Sequence, residues 1–115
     1  MNKLIIIGNL TRDPELRTTQ DGTSVCNFTV AVNRKARIDG YSEADYFRVT
    51  VWRTLGESCA KYLTKGKKVC VTGAISARGY TGDDGSPHAS LELLADEVEF
   101  LTPRSTASDM GRDAG

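Results

Sequence analysis

The sequence predicts an all-β protein, a small closed barrel of five strands with a single short helix. Five segments either alternate apolar and polar side chains or carry runs of β-branched residues, as strands do. Only residues 55–63 place apolar side chains at helical spacing. The length of 115 residues, with 39% hydrophobic and 26% charged side chains, is typical of one globular domain.

The first two strands are separated by a long connection. Residues 3–10 are predicted as a short buried strand, and residues 11–17 as a connection, because Pro14 lacks the N–H that a sheet ladder needs. An Asp-Gly pair, which is a strong hairpin signal, then leads into the second strand. This strand covers residues 24–34 and is half-buried, since apolar side chains occupy every second position.

The third strand, residues 43–52, returns from a hairpin whose tip carries a second Asp-Gly pair. The helix over residues 55–63 follows, and Gly66 is placed to end it in a left-handed conformation. The β-branched stretch 67–80 is the fourth strand, and the stretch 89–101, after a glycine-rich turn, is the fifth. The helix is therefore expected between strands 3 and 4.

The last strand changes phase along its length. Leu91 and Leu93 are apolar at odd positions, whereas Val98 and Phe100 are apolar at even positions, so a regular strand cannot bury them on one face. A bulge within residues 94–97 would resolve this, and bulges occur where strands bend around small barrels. Five antiparallel strands with such a bend predict an OB-fold barrel, because closure leaves no exposed edge.

The formal net charge is zero, but the charges are segregated along the chain. Residues 34–53 contain five basic and three acidic side chains, whereas residues 92–99 contain four acidic side chains and no basic one. A locally basic face is therefore compatible with a neutral chain. The longest apolar run near the start, residues 4–7, is too short for a membrane span or a signal peptide, which predicts a cytoplasmic protein without a membrane partner.

The sequence contains no motif for catalysis or for a bound cofactor. We therefore expect a protein that is not an enzyme and that holds no cofactor or metal. Three cysteines without a CxxC pair are expected to be small buried or half-buried thiols. His88 has no cysteine or second histidine nearby and is expected to be a solvated loop residue.

Aromatic and basic side chains share a face on two of the predicted strands. Tyr46, Arg48 and Trp52 lie on one face of the third strand, opposite an apolar face that would fill the core. Arg78 and Tyr80 share a face in the same way on the fourth. Such a set suits a single nucleic-acid strand, whose bases stack on rings while arginine meets phosphate. From these residues alone, packing against a second core or a subunit is an equally good interpretation.

Several sequence blocks together resemble the bacterial single-stranded DNA-binding proteins over residues 2–101. The blocks are Asn2-Lys3 followed by Gly8-Asn9-Leu10, Asp13-Pro14-Glu15-Leu16-Arg17, Phe28-Thr29-Val30-Ala31-Val32-Asn33, Asp45-Tyr46-Phe47-Arg48-Val49, Tyr62-Leu63-Thr64-Lys65-Gly66-Lys67-Lys68-Val69, and Gly73 followed by Tyr80. The resemblance implies an OB-fold that assembles as a homotetramer, a dimer of dimers, with first strands paired across a dimer interface. It also implies sequence-independent binding and protection of single-stranded DNA during replication, recombination, repair or DNA uptake, and an association with the nucleoid.

Residue by residue, the resemblance assigns a DNA-binding surface. The family's stacking positions fall on Tyr46, Trp52 and Tyr80, and positions of basic residues near the DNA backbone fall on Arg17, Arg48 and Arg78. A further stacking position falls near Ala36, where this chain has no aromatic ring. Its neighbours Arg34, Lys35 and Arg37 imply an electrostatic contact there instead.

The end of the chain departs from the family pattern. Residues 102–115 are small and polar and are expected to be a disordered tail after a domain at residues 1–101. They end in RDAG, without the acidic tip by which family members recruit replication and repair proteins. Either the sequence stops before such a tip, or this is a short paralogue that binds DNA without recruiting partners in that way. Three rival functions stay open: a dimeric primosomal-type accessory protein, an OB module that binds protein or oligosaccharide, and, remotely, a nuclease.

Overall fold

The computed structural model describes residues 1–34 and 43–101, which form six strands and one helix. In chain order these are β1 (Leu4–Leu10), β2 (Glu15–Thr18), β3 (Ser24–Asn33), β4 (Ala44–Trp52), α1 (Arg53–Tyr62), β5 (Lys68–Thr81) and β6 (Pro87–Phe100). The predicted fold class is confirmed: the chain is mostly strand, and its one short helix lies between the third and fourth of the five long strands.

The five long strands close into a barrel in the order β1-β5-β6-β4-β3. Closure comes from β1, whose last two residues pair with β3 (Asn9 with Ala31, Leu10 with Val30). The strands were predicted to be antiparallel throughout, and this is wrong for one pair, because β4 and β6 run parallel. An odd number of strands cannot alternate in direction all the way around a ring, so one neighbouring pair has to be parallel.

A short additional strand, β2, lies at the edge of the sheet and pairs antiparallel with β3. Its residues were predicted to be part of a connection because of Pro14. The proline precedes β2 and removes no hydrogen bond from its ladder. All four residues of β2 are exposed, so the strand adds surface to the barrel and little to its core.

The bulge predicted within residues 94–97 is confirmed. Thr72 of β5 pairs with Glu97 of β6, but the next residue, Gly73, pairs with Ala95, which leaves Asp96 as the extra residue. An extra residue shifts the alternation of the strand by one position. It therefore changes which side chains of β6 face the interior.

The bulge lets residues on both sides of it contact the core. Leu93 is buried before the bulge, and Val98 packs against the core after it. The two backbones approach so closely here that a Cβ on Gly73 would lie 2.0 Å from the carbonyl oxygen of Leu94. Only glycine avoids that overlap, so the bulge and Gly73 depend on each other.

The core lies inside the barrel and continues under α1. The inner face of β4 behaves as predicted, since Val49 and Val51 are fully buried and Phe47 packs against the cluster. The buried cluster consists of Ile6, Leu10, Cys26, Phe28, Val30, Val49, Val51, Cys59, Leu63, Val69, Val71 and Leu93.

The cysteines are free, two buried and one half-buried, as the sequence indicated. Burial raises the pKa of Cys26 to about 11. For Cys59, burial and then the neighbouring Cys26 raise the pKa to about 12. Both thiols are therefore protonated at neutral pH, and they act as small apolar core residues.

The ends of α1 differ from the prediction. The helix begins at Arg53, whose φ of 61° lies in the left-handed region, and Leu63 after its last residue is already extended. Gly66 does have a positive φ of 90°, but it lies in the following turn and does not end the helix. Within the two described ranges, no helix has the length and apolar character needed to cross a membrane.

Candidate nucleic-acid interface

The outer face of β4 carries the aromatic and basic side chains that the alternation predicted. Tyr46 is 59% exposed and Trp52 is 39% exposed, and Arg48 between them is exposed as well. Their neighbours in sequence, such as Val49 and Val51, point into the barrel. The same alternation that builds the core therefore presents these three side chains to solvent.

Small or polar side chains on β3 lie next to this face. Ala31 is the ladder partner of Tyr46, and Thr29 is the partner of Arg48. Neither neighbour is large enough to cover an aromatic ring or fix a guanidinium. Tyr46 and Arg48 therefore remain exposed on this side of the strand.

At the other end of β4, the structure brings Arg17 close to Trp52. Both are ladder partners of Val25 on β3, so the three residues form one row across β2, β3 and β4. Val25 is only 5% exposed although it lies outside the core cluster. Val25 is thus buried between its two ladder partners, while Trp52 itself keeps 39% of its surface exposed.

Hydrogen bonds orient Arg17 in this row. Its Nη2 donates to Oδ1 of Asn27 over 2.8 Å, and Nδ2 of Asn27 donates to Oγ1 of Thr50 over 2.9 Å. These side chains and Trp52 line one groove of about 320 Å³. A guanidinium and an indole therefore meet at the same opening.

A second groove of about 490 Å³ lies beside Arg48 and contains a basic residue that the sequence did not predict for the site. Arg12, from the segment before β2, lines it together with Arg48 and Thr29. Glu15 also lines this groove, so the groove carries charges of both signs. The only signal for Arg12 in the sequence was its charge, which does not reveal its place beside β4.

Arg78 and Tyr80 lie near the C-terminal end of β5, close to the turn of the hairpin that β5 forms with β6. Tyr80 is 52% exposed, and its ring stacks on His88 with centroids 5.4 Å apart and planes at 22°. The prediction that His88 is a loop residue is wrong, because it lies in β6 opposite Tyr80. One face of Tyr80 is therefore covered by an imidazole, although the residue as a whole remains exposed.

Arg34 is the predicted site residue most engaged with other side chains. Its guanidinium donates to Asp45 over 2.6 Å and to Glu43 over 2.9 Å. The hydrogen bond with Asp45 raises the pKa of Arg34 and lowers the pKa of Asp45. The predicted site residues Lys35 and Arg37 lie outside the described residues.

No group of three or more His, Cys, Asp or Glu side chains that could hold a metal ion occurs in the described parts of the chain. Three exposed rings on the outside of a small OB barrel, each with an arginine nearby, are typical of proteins that bind single nucleic-acid strands.

The comparison with known families agrees with this class. The model of the single-strand binding protein family matches residues 1–101, and the chain belongs to that family. Its members are non-enzymatic DNA-binding proteins, which confirms the predicted family, the predicted binding of single-stranded DNA and the prediction that the chain is not an enzyme.

Curated relatives are similar over most of the chain. "Single-stranded DNA-binding protein 2" of Clostridium acetobutylicum is 46% identical over 102 residues, covering 88% of this chain and 77% of that protein. "Single-stranded DNA-binding protein" of Halalkalibacterium halodurans is 43% identical over 112 residues, covering 96% of this chain and 67% of the relative. The protein of the same name in Bacillus cereus is 44% identical, covering 91% and 62%.

Proposed function

We propose that the chain binds single-stranded DNA along one outer surface of the barrel, which we call the aromatic track. The track consists of Tyr46, Trp52 and Tyr80 with Arg17, Arg48 and Arg78. The observation that carries the proposal is that each exposed ring has an arginine on the same strand face or in the same groove. Arg48 lies two residues from Tyr46 on the same face of β4, Arg17 lines one groove with Trp52, and Arg78 lies two residues from Tyr80 on β5.

Exposure of the rings favours binding over the alternative of a second core within this chain. A core aromatic is nearly always buried, whereas the three rings of the track are 59%, 39% and 52% exposed. Base stacking on a ring is favourable by about 1 to 3 kcal/mol per base and uses faces common to all four bases. Binding is therefore expected without strong sequence preference.

Arg34, Lys35 and Arg37 are proposed as an electrostatic extension of the track in place of a further ring. For Arg34, phosphate would have to compete with the carboxylates of Asp45 and Glu43. We therefore expect Arg34 to contribute less to affinity than Arg48, for which the structure gives no ion pair among the described residues.

The only tryptophan of the chain provides the test, because it belongs to the track. Titration of single-stranded oligo-dT should quench the fluorescence of Trp52, since a base stacks on its exposed face. A duplex of equal length is the control and should quench little, because its bases are already stacked. A flat titration with oligo-dT would reject the track and favour an OB module that binds protein or oligosaccharide.

The assembly proposed is a homotetramer, a dimer of dimers. Ile5 and Ile7 on the outer face of β1 are 61% and 49% exposed, and β1 pairs with β3 only at Asn9 and Leu10. An exposed strand edge with large apolar side chains is unfavourable in a lone subunit and favours pairing with another chain. In solution we expect a mass about four times the 12.5 kDa of the chain.

A measured mass of two chains would instead favour the dimeric accessory protein, and a mass of one chain would contradict the assembly.

We further propose that the protein protects single strands during DNA replication, repair, recombination or uptake, in the cytoplasm at the nucleoid. Family membership supports these roles. The predicted disordered tail, residues 102–115, lies outside the described residues.

A further inference from the structure

We propose that Glu92 sets the affinity of the aromatic track by competing with DNA phosphate for its arginines. This inference rests on the proposed function. It concerns a carboxylate that stands at the start of the acidic segment 92–99 in the sequence. In the structure, Glu92 lies among the basic side chains of the track.

The strand register places Glu92 between two arginine-bearing strands. On one side its ladder partner is Arg48 of β4, and on the other it is Ser76 of β5. Its carboxylate Oε1 lies 3.7 Å from Nη2 of Arg78, two residues further along β5. Because Leu93 points into the core, the Glu92 side chain points to the outer face, as Arg48 does.

Glu92 is the more buried partner of this ion pair. Its side chain is 28% exposed, whereas that of Arg78 is 73% exposed. The negative charge of a carboxylate that is held on a strand and partly shielded from water acts strongly on nearby guanidinium groups, because solvent ions screen a partly buried charge less than an exposed one. The flexible arginine, by contrast, can move toward a phosphate.

The position of Glu92 differs from those of the other carboxylates of β6. Between Pro87 and Ala95 it is the only acidic residue, while Asp96 is the extra residue of the bulge and Glu97 and Glu99 follow it. Glu99 pairs with Cys70, far along β5 from Arg78. Glu92 is therefore the one carboxylate of this strand that lies in the row with Arg48.

A carboxylate in this place has two effects on DNA binding. Arg78 must leave Glu92 before it binds a phosphate fully, and a phosphate bound near Arg48 is repelled by the remaining negative charge. Both effects weaken binding and speed release. They also lower the number of phosphates that the track neutralises, and hence the dependence of affinity on salt.

The test compares Glu92→Gln with Glu99→Gln, which removes the same charge from the same strand outside the track. The affinity of each variant for oligo-dT is measured across a series of salt concentrations. Glu92→Gln should bind about 3- to 10-fold more tightly at low salt, as expected for removal of one competing charge. Its plot of log affinity against log salt should steepen by about 0.7, the value for one further phosphate on a single strand.

Glu99→Gln should change affinity and slope much less. An equal gain in both variants would show an effect of net charge alone and overturn the proposal. Unchanged or weaker binding by a folded Glu92→Gln variant would also overturn it, since Glu92 would then hold the arginines in their productive positions. If the wild-type chain itself does not bind oligo-dT, the proposed function fails together with this inference.

Discussion

Arg53 occupies a backbone conformation that side chains with a Cβ rarely adopt. Its φ of 61° allows the chain to turn directly from Trp52, the last residue of β4, into α1. For an L-residue other than glycine the left-handed region costs about 1 to 2 kcal/mol. The residue that follows the track's tryptophan is therefore strained, and it holds the turn that positions the indole.

Replacing Arg53 by glycine should relieve this strain. We expect Arg53→Gly to be more stable than Arg53→Ala by about 0.5 to 1 kcal/mol, after the larger backbone entropy of unfolded glycine is subtracted. Both variants lose the same charge, so their difference in urea midpoint isolates the backbone effect. Equal stabilities of the two variants would show that the backbone of Arg53 is not strained.

The arginines of the track differ in what holds them. Arg17 is oriented by the amide of Asn27, Arg78 faces the carboxylate of Glu92, and Arg34 at the hairpin base is bound by two carboxylates. An amide orients a guanidinium without cancelling its charge, whereas a carboxylate does both. The charge of the track is thus set by partners that composition alone cannot identify.

At the scale of single elements, local patterns were sufficient to predict much of the structure. Alternation along β4 predicted which side chains fill the barrel and which face solvent, because the period of a strand is a local property. The phase change around residues 94–97 predicted the bulge for the same reason. β2 was not predicted. A proline prevents a ladder hydrogen bond only at its own position, so Pro14 does not exclude a strand over the residues that follow it.

The bulge in β6 depends on Gly73. We expect Gly73→Ala to lower the free energy of unfolding by about 1 to 3 kcal/mol or more, because the new Cβ overlaps the backbone of Leu94. Gly79→Ala in the same strand is the matched control, since the nearest atom to its Cβ is 3.9 Å away. Urea unfolding of both variants measures the difference, and equal midpoints would show that the two strands can separate at little cost.

At the scale of the whole molecule, features that depend on register between distant segments were not predictable. The stacking of Tyr80 on His88 and the ion pair of Arg78 with Glu92 both follow from the pairing of β5 with β6. The parallel pairing of β4 with β6 joins segments that are about 40 residues apart in sequence. The resemblance identified the track's residues, but it contained no information on these partners.

The barrel places the two ends of the aromatic track on different strands. Trp52 lies at the end of β4, separated from β2 by β3, and Tyr80 lies on the hairpin of β5 and β6. A ligand that contacts both must cross the outer face of the sheet, as a flexible single strand can. Binding should therefore be weakened by substitution at either end, whereas exposed aromatics elsewhere should not matter.

The measurement that tests this account most directly is the affinity for oligo-dT of Trp52→Ala, Tyr80→Ala and Tyr62→Ala. Tyr62 is a matched control, because it is 57% exposed but lies on α1 beside Phe100, outside the track. Thermal unfolding checks that Trp52→Ala remains folded. We expect each track variant to lose about 1 to 3 kcal/mol of binding free energy and Tyr62→Ala to lose almost none. Wild-type affinity in the folded track variants, or an equal loss in all three, would contradict the aromatic track.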